Sequence, residues 1–289
     1  MVISTITSGL GNQLFQYALG RQLAILNNTS LYFDTRFYQS EYSRETNRSF
    51  RLSNFNINFR ELSVREENLI RATKLLPGRS LPPLFRHLKE QYYHFDPDVL
   101  KARAGMLVLN GYWHSQKYFI EVEDVIRREL AFNNMPGPEF SSYKSDILSS
   151  DKAVSVHIRR GDYVSHPEFS KTFGFIGKQY YENACALIVK RIGSCRFFVF
   201  TDDKDWVEQN MQLPGDTLFV KNTGADADLD DLHLMSLCKH HIVANSSYSW
   251  WGAWLGANRD KIVVCPENWF LNQPDWNTKD LRPDSWIKI

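Results

Sequence analysis

Four cysteines are too few, and too scattered, to build a disulfide framework or a zinc site. Cys185, Cys195, Cys238 and Cys265 form no C-x-x-C pair, and each lies inside an apolar segment. Free, buried thiols in a reducing compartment are expected. No stretch approaches the roughly 20 apolar residues that span a bilayer. The N-terminus, MVISTITSGLGNQ, has neither the basic flank nor the small-residue cleavage site of a signal peptide. A cytoplasmic location is therefore expected, with at most peripheral membrane association. Net charge is nearly absent, at +1, which removes the whole-chain electrostatic case for nucleic acid or an acidic membrane. Internal repeats and low-complexity tracts are missing as well.

What is present is an ordinary globular composition, 43% hydrophobic and 23% charged, in a length that suits one large or two medium domains. Aromatics reach 14%, with eight Trp. That abundance suits sugar-binding clefts and plain cores alike, and most of these residues are assigned to the core.

The second half alternates strand and helix. Short β-branched and aromatic runs at 153–159, 196–200, 217–221, 241–245 and 261–265 read as strands. Amphipathic stretches at 179–192, 203–211, 229–239 and 248–256 read as helices between them. This order predicts a parallel, Rossmann-like sheet covered by helices. The first half begins alike: VISTI as a strand, SGLG as a turn, then a helix. Phe15, Leu19, Leu23 and Leu26 line one face of that helix. SLYFDT reads as a second strand, 106–110 as another, and VEDVIRREL as a helix. From 36 to 100, including PGRSLPP, no elements can be drawn. NNMPGPEFSS, 133 to 142, has linker composition. The expected division is 1–145 and 146–289.

In open α/β sheets, ligands bind outside the carboxyl ends of the strands. Three polar clusters fall at such ends: His157, Arg159, Arg160 and Asp162; TDD with Asp202; and NSS with Ser246 and Ser247. An arginine fork offers a diphosphate two parallel hydrogen bonds and a permanent charge. It can also stabilise the charge that appears as a nucleoside diphosphate leaves. Ser246 and Ser247 stand where a helix N-cap is expected, offering free N–H groups to a phosphate. Each of these residues could equally be a surface ion pair or a plain cap; it is their coincidence that points to a nucleotide.

GLGNQ (9–13) is a lone G-x-G, with Leu14 where a dinucleotide fingerprint needs a small residue. Gly9 and Gly11 can still bring backbone amides near a ligand, and Asn12 and Gln13 are expected to point into the same crevice. DADLDD (226–231) resembles a calcium loop but has Asp231 at the sixth position and Leu237 at the twelfth. A metal site is not expected there. Asp231 alone could accept the N1–H and N2–H edge of guanine. His233, His240 and His241 read as packing or surface residues.

Taken together, GLGNQLFQYALGR, HIRRGDYV, FFVFTDD and DLHLMSLCKHHIVANSSYSWWGAWL resemble the α-1,2-fucosyltransferases of bacterial type, in order and spacing, from residue 9 to about 270. The resemblance implies an α/β, GT-B-like fold, two Rossmann-like domains facing a central cleft, 1–145 on the acceptor side and 146–289 on the donor side. It implies metal-independent, inverting transfer from GDP-β-L-fucose, a co-substrate, with no cofactor. On it, Arg159 grips the β-phosphate, His157 and Asp202 contact the nucleotide, and Asp231 reads guanine. Ser246 and Ser247 touch pyrophosphate or fucose, Gly9, Gly11 and Gln13 line the donor site, and Asn12 lies near the reacting centre. Arg160, turned away by strand alternation, has a structural role.

Inversion needs a base for the acceptor's 2-hydroxyl. Asp162 is the first candidate and Glu168 the second, although Asp162 could instead brace its loop. The implied acceptor is a galactose-terminated oligosaccharide or glycolipid-linked glycan. Tyr112 and Trp113 offer it an aromatic face, or form a core pair. Without an anchor and stem the chain resembles a bacterial enzyme of surface-polysaccharide synthesis. The competing reading is a non-catalytic sugar- or nucleotide-binding module on the same fold. A Rossmann oxidoreductase is disfavoured by the missing third glycine.

Overall fold

Strand-forming sequence comes in two blocks, and each block closes its own sheet. The computed structural model describes residues 1–289 except 47, 77–79, 82, 272 and 274, so part of PGRSLPP lies outside the described residues. The chain divides into a first unit, Met1–Asn133 with Asn277–Pro283, and a second, Asn134–Trp276 with Asp284–Ile289.

The first sheet contains β1 (Val2–Thr5), β2 (Leu31–Asp34), β3 (Arg60–Glu61), β4 (Ser80–Leu81), β5 (Phe85–Lys89) and β6 (Met106–Asn110). Their order is β3-β2-β1-β6-β5-β4, parallel except for the β4–β5 hairpin. The helix Leu10–Leu26 is buried around most of its circumference, not along one stripe. Gln13, Gln16 and Gln22 are as buried as Phe15, Leu19 and Leu23, while Leu26, at the last turn, is exposed. Gln16 is satisfied inside by Thr7 and the Gly111 carbonyl. Between 36 and 100 the structure contains the helix Val64–Lys74, which starts with a capping box of Ser63 and Glu66. The late return of 277–283 is fastened by Asp280, which accepts from Phe95 N–H and from Lys117 Nζ at 2.5 Å.

The second sheet contains β7 (Ala153–Ile158), β8 (Arg196–Thr201), β9 (Asp216–Phe219), β10 (His240–Ile242), β11 (Val263–Cys265) and β12 (Ile287–Lys288). Its order, β12-β11-β10-β7-β8-β9, is wholly parallel. Counted from β7, this is the 3-2-1-4-5-6 arrangement of doubly wound nucleotide-binding sheets. β7 is buried on both faces. Val154, Val156 and Ile158 pack with Tyr181, Ala184, Cys185 and Ile188 of the helix Lys178–Ile192. On the other face Ser155 Oγ meets His241 Nδ1 at 2.8 Å, and His157 lies against Tyr248.

The helix Phe140–Ser149 begins within the stretch read as linker. Most tryptophans are core: Trp250, Trp251, Trp254 and Trp286 pack on one another. Cys185, Cys238 and Cys265 are buried, Cys195 is half-buried, and all four are free. No helix among the described residues is long and apolar enough to cross a membrane.

Candidate active site

In the second unit the chain order reverses between β7 and β10, and crevices open outside the carboxyl ends of strands at such a reversal. β7 delivers Arg159 there. Its Nη2 donates to Asp162 Oδ2 at 2.7 Å, its Nη1 pairs with Asp202 Oδ2 at 3.0 Å, and it lies 5.5 Å from the Tyr163 ring centre. Asp202 also accepts from the Arg160 backbone N–H at 2.9 Å. Gly161 makes this approach possible, since a Cβ there would stand 2.7 Å from Asp202 Oδ2. Arg160 diverges as alternation requires: it pairs with Asp203 and covers Trp206 at 4.0 Å.

His157 is buried beside Arg159. Desolvation, and then the neighbouring guanidinium, push its pKa down to about 3, so the ring is neutral. Its Nδ1 has no hydrogen-bond partner among the described residues. Tyr248, against which it packs, donates to the Asp228 carbonyl. Ser246 is the N-cap of the helix Ser247–Leu255, accepting from Tyr248 N–H at 3.3 Å; Ser247 is the first helical residue rather than a cap. Just before them, Asn245 is fully buried and donates to the carbonyls of Phe173, Gly174 and Trp269. That network fixes the strand end against the segment after β7.

Asp231 lies within the helix Ala227–Leu237 and accepts from Asn222 Nδ2 at 2.8 Å. Burial raises its pKa to about 7 despite that bond. Asp230, its neighbour, instead holds Asn134 Nδ2 and Gly137 N–H at 2.9 and 2.7 Å. Glu168 is exposed in the first turn of the short helix Pro167–Thr172. No group of three or more His, Cys, Asp or Glu among the described residues is arranged to hold a metal ion.

The first unit has its own reversal, between β1 and β6. Asn12 is there, its Oδ1 accepting from His114 Nε2 at 2.9 Å. Tyr112 stacks on His114 with ring centres 5.3 Å apart and keeps 38% of its surface exposed. Burial holds the His114 pKa near 3. The sequence reading missed His114, whose only signal was its place two residues beyond Tyr112. It also missed Arg48, whose guanidinium lies 3.3 Å from where a Gly9 Cβ would be.

Gln13, Trp113 and Gly11 are placed otherwise than expected. Gln13 does not face a crevice: it is fully buried, donating to the Ser8 and Ser49 carbonyls and accepting from Arg51 N–H. Trp113 offers no face to a sugar. It is 1% exposed and packs on Tyr118, held at φ 61° by Glu90, which accepts from the N–H groups of both Tyr112 and Trp113. Gly11 is likewise buried inside its helix, while Gly9 caps it.

The sheet order and two strand-end clusters define a doubly wound α/β protein of GT-B-like class. The profile of glycosyl transferase family 11 matches residues 1–289, and the chain belongs to that family. It is 33% identical to an alpha-1,2-colitosyltransferase of Escherichia coli, over 100% of this chain and 99% of that one. It is 28% identical to galactoside alpha-(1,2)-fucosyltransferase 1 of Mus musculus, over 99% of this chain and 72% of that one. In fold it is similar to Arabidopsis thaliana FUT1 in complex with GDP, with a TM-score of 0.52 at 13% identity, covering 95% and 72% of the two chains. It is also similar in fold to the fucosyltransferase NodZ of Bradyrhizobium, with a TM-score of 0.50 at 16% identity, covering 87% and 91%.

The diverging arginines generate a paired prediction. Arg159→Ala is expected to abolish glycosyl transfer while far-UV circular dichroism stays native. Arg160→Ala is expected to lower stability by about 1–2 kcal/mol in urea unfolding, through the lost ion pair and ring contact, with turnover largely kept. Most activity surviving in Arg159→Ala would remove it from the site.

Proposed function

We propose that the protein transfers L-fucose, with inversion and without a metal, from GDP-β-L-fucose to the 2-hydroxyl of a terminal β-galactoside. The observation that carries this reading is Arg159 at the end of β7, already oriented by Asp162 and Asp202. A β-phosphate presents oxygens to the same guanidinium that these carboxylates hold, so the fork is pre-aimed at the charge that grows on the leaving GDP. Ser246, Ser247 and the first-turn N–H groups of their helix contact the pyrophosphate or fucose. Neutral His157 contacts the nucleotide, and Asp231 accepts from the guanine edge. Asn12 is assigned to catalysis, Gly9 to the donor and Tyr112 to the acceptor's stacking face.

For the base, Asp162 Oδ2 is already engaged by Arg159 Nη2 at 2.7 Å, which commits that oxygen to orienting the guanidinium. Asp162 is then a positioning residue for Arg159, and exposed Glu168 is the base this reading favours. The chain works in the cytoplasm, on a galactose-terminated glycan bound for the cell surface.

One second reading has its own support, the full-length likeness to a colitosyltransferase. Colitose is L-fucose without the 3-hydroxyl. A site that hydrogen-bonds this hydroxyl rejects the deoxy sugar by several orders of magnitude, whereas an apolar wall discriminates weakly.

The test mixes protein, lactose and EDTA with either GDP-fucose or GDP-colitose, and identifies the product linkage by NMR. Transfer of fucose to the galactose 2-hydroxyl supports the proposal. Colitosyl product alone moves the donor, and binding without turnover of either assigns a non-catalytic module. Asp231 adds a pH signature. Its carboxylate form accepts from guanine and is populated as pH rises through about 7. GDP affinity should therefore strengthen from pH 6 to pH 8, and Asp231→Asn should flatten that profile in calorimetric titrations.

A further inference from the structure

Across the whole chain the charges nearly cancel, but they are not evenly spread. Residues 64–89 carry six Lys or Arg against two Glu, a net charge of +4. The chain total is +1, so the remaining residues sum to −3.

The same segment concentrates exposed apolar side chains. Of sixteen large hydrophobics exposed among the described residues, six fall between 64 and 84: Val64, Leu69, Leu75, Leu76, Leu81 and Leu84. Leu75 is 86% exposed, Val64 74% and Leu84 64%. Single exposed leucines are ordinary, but a run of them beside basic residues is not.

These residues lie on or just after the helix Val64–Lys74, which covers the sheet over β1, β5 and β6, and on or just after β4 at the sheet's rim. Ile70 anchors the helix Val64–Lys74 inward, against Ile3, Phe85, Met106 and Val108. Thr73 Oγ1 meets His87 Nε2 of β5 at 2.9 Å, which ties the end of the helix to the sheet. β4 pairs only with β5, Leu81 opposite Phe85, and forms the sheet's rim. The outward side of the helix presents Val64, Arg65, Leu69 and Arg71, all exposed. Arg71 Nη2 lies 3.9 Å from Glu67 Oε2, one turn before it.

We propose that this edge of the first unit docks on an anionic lipid surface. Exposed leucines in sequence among exposed arginines match the interfacial boundary, where apolar groups sink among acyl chains and guanidiniums remain at the phosphate level. A second copy of the chain is disfavoured, because a self-complementary interface would set +4 against +4. The segment contains none of Asn12, Tyr112 and His114. The inference goes beyond the donor assignment and does not depend on it.

The experiment needs neither donor nor acceptor. Full-length protein is floated with vesicles of equal phosphatidylcholine and phosphatidylglycerol, and with vesicles of phosphatidylcholine alone. Binding to the anionic vesicles only, weakening as salt rises, is expected. Arg65→Glu with Arg71→Glu should reduce that binding at least about tenfold, since each basic residue near such a surface contributes roughly a factor of five. Leu75→Ser with Leu84→Ser should reduce it to a weak, fully salt-reversible remnant. Thermal unfolding should stay unchanged in both, and so should turnover of a soluble acceptor. Wild-type protein that floats with neither vesicle, or variants that bind as well as wild type, would overturn the proposal. A concentration-dependent dimer dissolved by the leucine substitutions would overturn it in favour of self-association.

Discussion

Arg159 is the fixed point of the second unit. A guanidinium delivered by a strand buried on both faces must find counter-charge at once, because an unpaired charge at a half-buried site is costly. Asp162 supplies it from three residues ahead and Asp202 from the end of the neighbouring strand. That requirement accounts for much of the surrounding sequence. Glycine stands at 161 because Asp202 occupies the space of a side chain, and Tyr163 stacks beneath the guanidinium. Arg160 has to be taken elsewhere, to Asp203 and Trp206. The consequence for chemistry is preorganisation: the group that would meet a leaving diphosphate is already aimed.

Around both strand reversals, irregular backbone is held by buried polar side chains rather than by apolar packing alone. Asn245 grips three carbonyls, Asp230 the start of the second unit, and Glu90 two successive amides of the loop after β6. Each satisfies backbone groups that no sheet or helix can pair. Loops built this way keep their side chains in register.

The second half of the fold was legible because its strands are short β-branched or aromatic runs, separated by stretches long enough for helices such as Lys178–Ile192. Each read element matches the observed one to within a few residues, for example 179–192 against Lys178–Ile192. Between 36 and 100 the strands are two to five residues long, too short for periodicity to show, although Ser63 to Glu66 did carry a readable helix start. The divergence of Arg159 from Arg160 followed from strand alternation. Gln13 and Trp113 misled because a polar or aromatic residue in a motif does not reveal whether its partners are ligand or backbone. Arg48 and His114 reach their positions by tertiary contact, which no local pattern announces. The near-zero net charge likewise concealed a basic, leucine-rich edge that appears only when charge is counted by segment.

Calorimetric binding of GDP and GMP, in EDTA, to the wild type and to Arg159→Ala tests the central claim most directly. If the guanidinium holds the β-phosphate, the substitution weakens GDP about 100-fold and leaves GMP nearly untouched. An equal loss for both nucleotides, or no loss for either, would contradict it.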